Sequence, residues 1–143
     1  MREMRNAVFL HYVWSTWDRA PLLIGETRSV AYRAIGAKCH ALGADLVALG
    51  GIDDHVHLLI QLPPTLGFAA LIKEIKGSSG HLLAKRAMLS SGDFFKWEGS
   101  YAVFSVSPHE LKMATKYIKQ QEKHHAEQSV IPRWELLPRL EAG

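Results

Sequence analysis

The chain has 143 residues, 48% of them hydrophobic, which suits one domain over residues 1–143 and leaves too little for two. Lys plus Arg is 17 and Asp plus Glu is 14, so the net charge is +3, a mild basic bias that permits a polyanionic partner without requiring one. The single cysteine, Cys39, excludes an intrachain disulfide framework and a multi-cysteine metal site, and points to a reduced, cytoplasmic setting. The apolar run from Ala7 is interrupted by His11 and Ser15, with no small-residue cleavage site after it, so no secretory leader is expected. The uncharged stretch from His55 to Ile72 carries Gln61 and Pro63-Pro64, which excludes a continuous membrane-spanning helix.

In chain order, Val8 to Thr16 is rich in aromatic and β-branched residues and reads as a strand. Glu26 to Leu42 carries apolar residues at Val30, Ala34, Ala37 and Ala41, a helical spacing ended by Gly43. Ala44 to Gly50 and His55 to Leu62 read as two strands of a β-hairpin around the Gly51–Asp54 turn, the second halted by Pro63-Pro64. Thr65 is the expected cap of a helix to about Leu89, with Phe68, Leu71, Ile72 and Ile75 facing inward. Gly77-Ser78-Ser79-Gly80 is expected to kink or split it, and Ser90–Asp93 is a loop. Tyr101 to Val106 reads as a fourth strand. Ser107-Pro108 opens a last helix over about 108–127, and residues 128–143 form an irregular tail. The first six elements give the βαββαβ order of an α+β, ferredoxin-like or RNA-recognition-like antiparallel sheet, to which the last helix is an addition.

Asp54-His55-Val56-His57-Leu58 is the most informative stretch. Residues two apart on a strand share a face, so His55 and His57 project together while Val56 points to the core. Two such imidazoles either decorate a half-buried strand or, with a third group, bind one divalent cation. On the last helix, Leu111, Ala114 and Ile118 form an apolar stripe, and Lys112, Lys116, Lys119 and Lys123 a separate basic one. Tyr117 and Gln121, four apart, lie one turn above the other beside the apolar stripe, with His124 continuing the strip. A core-margin tyrosine and a solvated lysine face are the plain alternatives.

With these residues the chain resembles the single-tyrosine HUH transposases of small bacterial insertion sequences, the transposase A type. The resemblance runs from His11-Tyr12-Val13-Trp14-Ser15-Thr16 and Arg19-Ala20-Pro21 through His55-Val56-His57. It continues through Lys73-Glu74-Ile75-Lys76-Gly77-Ser78-Ser79 and Phe95–Tyr101 to Tyr117-Ile118-Lys119-Gln120-Gln121. Glu98 is a mild departure, where many members carry Gln. The resemblance implies a bacterial enzyme in which His55, His57 and Gln121 bind Mg²⁺ or Mn²⁺. It further implies that Tyr117 attacks single-stranded DNA near element-end hairpins to leave a 5′-phosphotyrosine and a free 3′-hydroxyl. It also implies a homodimer, able to share active sites between subunits through the last helix. A phenol with pKa of about 10 is a weak nucleophile at neutral pH, so a cation beside the phosphate fits the chemistry.

Arg19, Lys73, Lys76, Lys85 and Arg86 are candidate contacts to DNA phosphates, against the alternative of a solvated basic face. Trp17 and Trp97 are candidate base-stacking residues, Trp14 a core residue. His11, His40, His81, His109 and His125 are expected to be structural or surface residues, and Cys39 a small core residue. The competing function is a domesticated hairpin-DNA-binding protein that no longer transposes, which has no need of the His-His-Tyr-Gln set. A two-histidine RNA phosphoesterase needs two separated His-x-Thr/Ser motifs, which the chain lacks.

Overall fold

A computed structural model of the chain describes residues 6–91 and 94–136. Four strands, β1 (Phe9–Ser15), β2 (Asp45–Gly51), β3 (His55–Gln61) and β4 (Ala102–Val106), form one antiparallel sheet in the order β2-β3-β1-β4. This is the expected α+β topology, with β1 and β3 at the centre. Helices α1 (Gly25–Ala41) and α2 (Phe68–Ser91) cover one face. There Tyr12 and Trp14 of β1 and Val56, Leu58 and Ile60 of β3 meet Ile35, Cys39, Leu71, Ile72 and Ile75, all buried. Period-two alternation sends His11 and Val13 of β1 and His55, His57 and Leu59 of β3 to the opposite face.

That second face is not left to solvent. Helices α3 (Leu111–Lys119) and α4 (Gln121–Ala126) lie across it, and Ala114, Tyr117 and Ile118 bury against Ala48, Leu59 and Val106. Both faces of β3 are therefore closed, and His55 and His57 are 1% and 0% exposed. The docking requires a glycine on β2: a Cβ on Gly50 would stand 2.2 Å from the Ile118 carbonyl oxygen.

Several local expectations are corrected. The buried positions of α1 are Val30, Ala31, Ile35 and Cys39, whereas Ala37 and Ala41 face solvent, because Ile35 and Cys39 have more surface to hide than the alanines. Helix α2 begins at Phe68 without using Thr65, and Phe68 itself is half exposed; its carbonyl instead accepts the Tyr12 hydroxyl at 2.8 Å. Gly77–Gly80 does not split the helix. Ser79 Oγ donates to the Ile75 carbonyl (2.7 Å) and accepts from Trp97 Nε1 (3.0 Å), and a side chain on Gly80 would meet the Trp97 ring at 2.9 Å. The small residues are the seat of Trp97, which is buried and not available for stacking on DNA. The expected loop at Ser90–Asp93 begins later, since α2 runs to Ser91, and residues 92–93 lie outside the described residues.

The last helix is interrupted at Gln120 (φ −111°, ψ 30°). The Gln120 N–H is shared between the carbonyls of Lys116 (3.1 Å) and Tyr117 (3.3 Å), and the Gln121 side-chain amide also donates to the Tyr117 carbonyl (3.3 Å). Of the expected irregular tail, a short 3₁₀ turn at Pro132–Trp134 is ordered against the sheet, and residues 137–143 lie outside the described residues.

Candidate active site

Strand β3 delivers two imidazoles to the floor of the second face. His55 Nδ1 donates to Asp54 Oδ1 at 2.8 Å, so its Nε2 faces the site. His57 is turned the same way: its Nδ1 is 2.8 Å from His11 Nε2, and its Nε2 faces the site. Helix α3 brings Tyr117 over this pair, its ring 5.9 Å from that of His57. At the start of α4, the buried Gln121 places Oε1 3.3 Å from His55 Nε2 and 3.2 Å from His125 Nε2. The four residues singled out in the sequence, His55, His57, Tyr117 and Gln121, thus converge within one chain.

The tail adds a fifth group that the sequence reading did not identify. Glu135 places Oε1 3.4 Å from His55 Nε2 and 3.1 Å from His125 Nε2, and Oε2 3.1 Å from His57 Nε2. Tyr117 donates its hydroxyl proton to Glu135 Oε2 at 2.7 Å and accepts from the Ile131 backbone N–H at 3.0 Å. Trp134 anchors this segment, buried against the rings of Tyr117 (5.4 Å) and His11 (5.8 Å). His11 and His125, expected to be structural or surface residues, both reach the site, while His124 lies with its ring 4.7 Å from that of Tyr117.

Charge is distributed unevenly over the group. Burial opposes a charge on His55, but hydrogen bonds to Asp54 and Glu135 outweigh it and raise its pKa to about 9. Burial keeps His57 below its ordinary value despite Glu135 beside it. Glu135 itself, although burial works against its charge, is held well below the usual carboxylate range by His55 and His57. The Tyr117 phenol is pushed up to about 12, chiefly by burial, with the Ile131 N–H working the other way and the anionic Glu135 adding to the rise.

His55, His57 and Glu135 each offer a ligand atom, all within 4.8 Å of one another, a group able to hold a metal ion. The residues suit a divalent cation: His57 Nε2 is a buried nitrogen without an aligned hydrogen-bond partner, facing a carboxylate, and nitrogen and oxygen donors of this kind are borderline-to-hard ligands.

The basic candidates are scattered. Arg19 Nε lies 3.3 Å from Asp54 Oδ2, at the rim of the histidine site. Lys73 and Lys76 line a cleft with Gly77, Trp97, Glu98 and Tyr101, but Lys76 Nζ is committed to the carbonyls of Glu98 (2.6 Å) and Ser100 (2.9 Å). Arg86 lies 2.9 Å from Glu26 at the far end of α2, and Lys85 is exposed nearby. Trp17 is 43% exposed, with the Lys96 ammonium 4.2 Å over its ring. No helix among the described residues is long and apolar enough to cross a membrane.

Residues 5–121 match the family model described as "Transposase IS200 like". The ISDra2 transposase TnpA of Deinococcus radiodurans is 25% identical over 129 residues, which span 85% of this chain and 91% of that protein. Among solved structures, a protein of Deinococcus radiodurans R1 described as a transposase is similar with a TM-score of 0.63 at 27% identity, over 85% of this chain and 98% of the other. A REP-associated tyrosine transposase bound to a REP hairpin shares the fold, with a TM-score of 0.62 at 16% identity over 91% and 76% of the two chains. The matched family segment includes His55, His57, Tyr117 and Gln121, whereas His125, Trp134 and Glu135 lie beyond it.

Proposed function

The chain belongs to the IS200-like transposase family, and on that premise we propose that it cleaves and rejoins single-stranded DNA at hairpin-bearing ends through a 5′-phosphotyrosine on Tyr117. One observation carries the reading: a buried tyrosine hydroxyl and two imidazole nitrogens on a neighbouring strand converge on a single carboxylate. A structural tyrosine needs no such company. In the proposed reaction the Tyr117 oxygen forms a bond to the scissile phosphorus and the bond from phosphorus to the 3′ oxygen breaks. The phenolic proton passes to Glu135 Oε2, which already accepts it in a hydrogen bond, and the leaving oxygen takes one proton from solvent to become the free 3′-hydroxyl. The reverse attack by another 3′-hydroxyl rejoins strands with no input of ATP.

A phenol raised to about 12 beside a carboxylate held low does not surrender its proton unaided. Positive charge close to the hydroxyl is therefore needed. His55, His57 and Gln121, with Glu135 adding an anionic oxygen, would hold Mg²⁺ or Mn²⁺. Such an ion, when bound, polarises the scissile phosphate and stabilises the charge that develops on it. Of the proposed phosphate contacts, Arg19 lies at the site's rim but is paired with Asp54, and Lys73 and Lys85 are exposed. The paired Arg86 would have to leave Glu26, and Lys76 its two carbonyls. The hairpin held by the REP-associated relative supports a folded single strand as substrate. A homodimer is part of the proposal, with the catalytic set complete within each chain.

The test is incubation with a labelled single-stranded hairpin and Mn²⁺, followed by denaturing electrophoresis. A protein–DNA adduct is expected for the wild type and none for Tyr117→Phe, with hairpin binding retained. An undiminished adduct in Tyr117→Phe would refute the assignment, and hairpin binding without any adduct from the wild type would favour a binding protein.

A further inference from the structure

His11 was expected to be a structural or surface residue; its imidazole is fully buried and, among the described residues, makes one side-chain hydrogen-bond contact, 2.8 Å from Nε2 to Nδ1 of His57. We propose that His11 is a positioning residue that fixes His57 in the tautomer required of a metal ligand, an inference that rests on the metal reading of the site given above.

The constraint lies in the chemistry of imidazole. A neutral ring carries one N–H and one bare nitrogen, and only the bare nitrogen can ligate. The proposed site needs His55 and His57 each to present a bare Nε2, so each must carry its proton on Nδ1 and must find an acceptor for it. For His55 the acceptor is the Asp54 carboxylate at 2.8 Å. For His57 the described residues offer a different one, the Nε2 of His11. The two histidines are thus held by the same device with different acceptors.

The location explains the difference. Asp54 sits in the turn before β3, where its carboxylate keeps some contact with solvent and with Arg19. His57 Nδ1 points sideways into the sheet face, toward β1, where a carboxylate would be entirely desolvated and costly. A neutral imidazole on β1 fills that place at lower cost than a carboxylate, its own proton then standing on Nδ1, a buried nitrogen with no partner among the described residues. Phe104 on β4 and Trp134 in the tail close on the His11 ring, with centroids 5.9 and 5.8 Å away, and hold its plane. Outer-shell partners of this kind change metal affinity as well as orientation.

The experiment compares His11→Phe, which keeps an aromatic ring between Phe104 and Trp134 but has no acceptor, with His11→Gln, whose amide oxygen can stand where Nε2 stands. Mn²⁺ binding is measured by calorimetry and by the loss of the free-ion resonance signal, with no DNA present. His11→Phe is expected to bind Mn²⁺ about tenfold or more weakly than wild type, and His11→Gln to recover most of the loss. In Mg²⁺-saturated wild type, long-range proton–nitrogen correlation is expected to place the His57 proton on Nδ1, a reading that does not depend on either variant folding. Equal Mn²⁺ affinity in wild type and a folded His11→Phe would overturn the inference while leaving the metal site standing. A His57 proton on Nε2 in the loaded wild type would overturn the inference and also remove His57 from the ligand set, since a protonated nitrogen cannot ligate. Absence of any Mn²⁺ binding by the wild type would overturn both.

Discussion

Glu135 sits where four side chains meet, and its replacement separates their roles. Glu135→Gln keeps the shape but removes the charge that faces His55 and His57. Mn²⁺ affinity measured by calorimetry is expected to fall by about tenfold or more, with the fold unchanged by circular dichroism. Unaltered affinity would remove Glu135 from the ligand set. The charge on His55 gives a second test. Its pKa in the folded chain, about 9, lies above the ordinary 6.5, so its ion pairing stabilises the metal-free protein fully below pH 6.5. That contribution is lost as pH rises through 9. In EDTA, wild type should lose on the order of 2 kcal/mol between pH 6.5 and 9 relative to His55→Gln, as read from urea unfolding. Parallel pH profiles for the two proteins would contradict the pairing. His55 and His57 were legible in the sequence because strand periodicity alone puts them on one face. Glu135 was not, since it follows Tyr117 by 18 residues through a tail with no periodic signal, and only tertiary folding brings the two together. His11 had a signal that went unused: it shares a strand face with Val13, which pairs with His57 in register.

The seven main elements were readable because composition and turn residues mark their ends. Gly43, with φ of +76°, closes α1 where expected, its N–H on the His40 carbonyl at 3.1 Å and that of Ala44 on Cys39 at 2.9 Å. What escaped was the packing between elements. Gly77–Gly80 reads as a breaker in isolation, but its small side chains make room for Trp97, and the helix continues because tertiary contact outweighs local propensity. Gly50 is the analogous position on β2. A methyl group there would collide with the backbone of Ile118, one residue from Tyr117. Gly50→Ala should therefore shift or loosen α3, at a cost of about 1–3 kcal/mol in urea unfolding. Adduct formation should fall much further than hairpin binding. Retained stability and activity would show that α3 is not held where the geometry places it.

Across the whole molecule, the sheet works as a partition with a conventional core on one side and the chemistry on the other. The sequence showed that the last helix was surplus to a six-element fold. It did not show that the helix closes the second sheet face of its own chain, where the apolar stripe packs on Ala48, Leu59 and Val106. An intramolecular site has a direct consequence for a dimer. Mixing Tyr117→Phe with His57→Ala, after confirmed subunit exchange, should produce no adduct, because every chain carries one lesion in its own site. Recovery of activity would mean that Tyr117 serves the histidines of the partner subunit. The central claim, that Tyr117 is the residue joined to DNA, is tested most directly by digesting the Mn²⁺-dependent adduct with nuclease and trypsin and locating the residual nucleotide by mass spectrometry. The nucleotide is predicted on Tyr117, through the 5′ phosphate, in the peptide Tyr117–Lys119; a nucleotide on Tyr12, Tyr32 or Tyr101, or on any other side chain, would contradict the account.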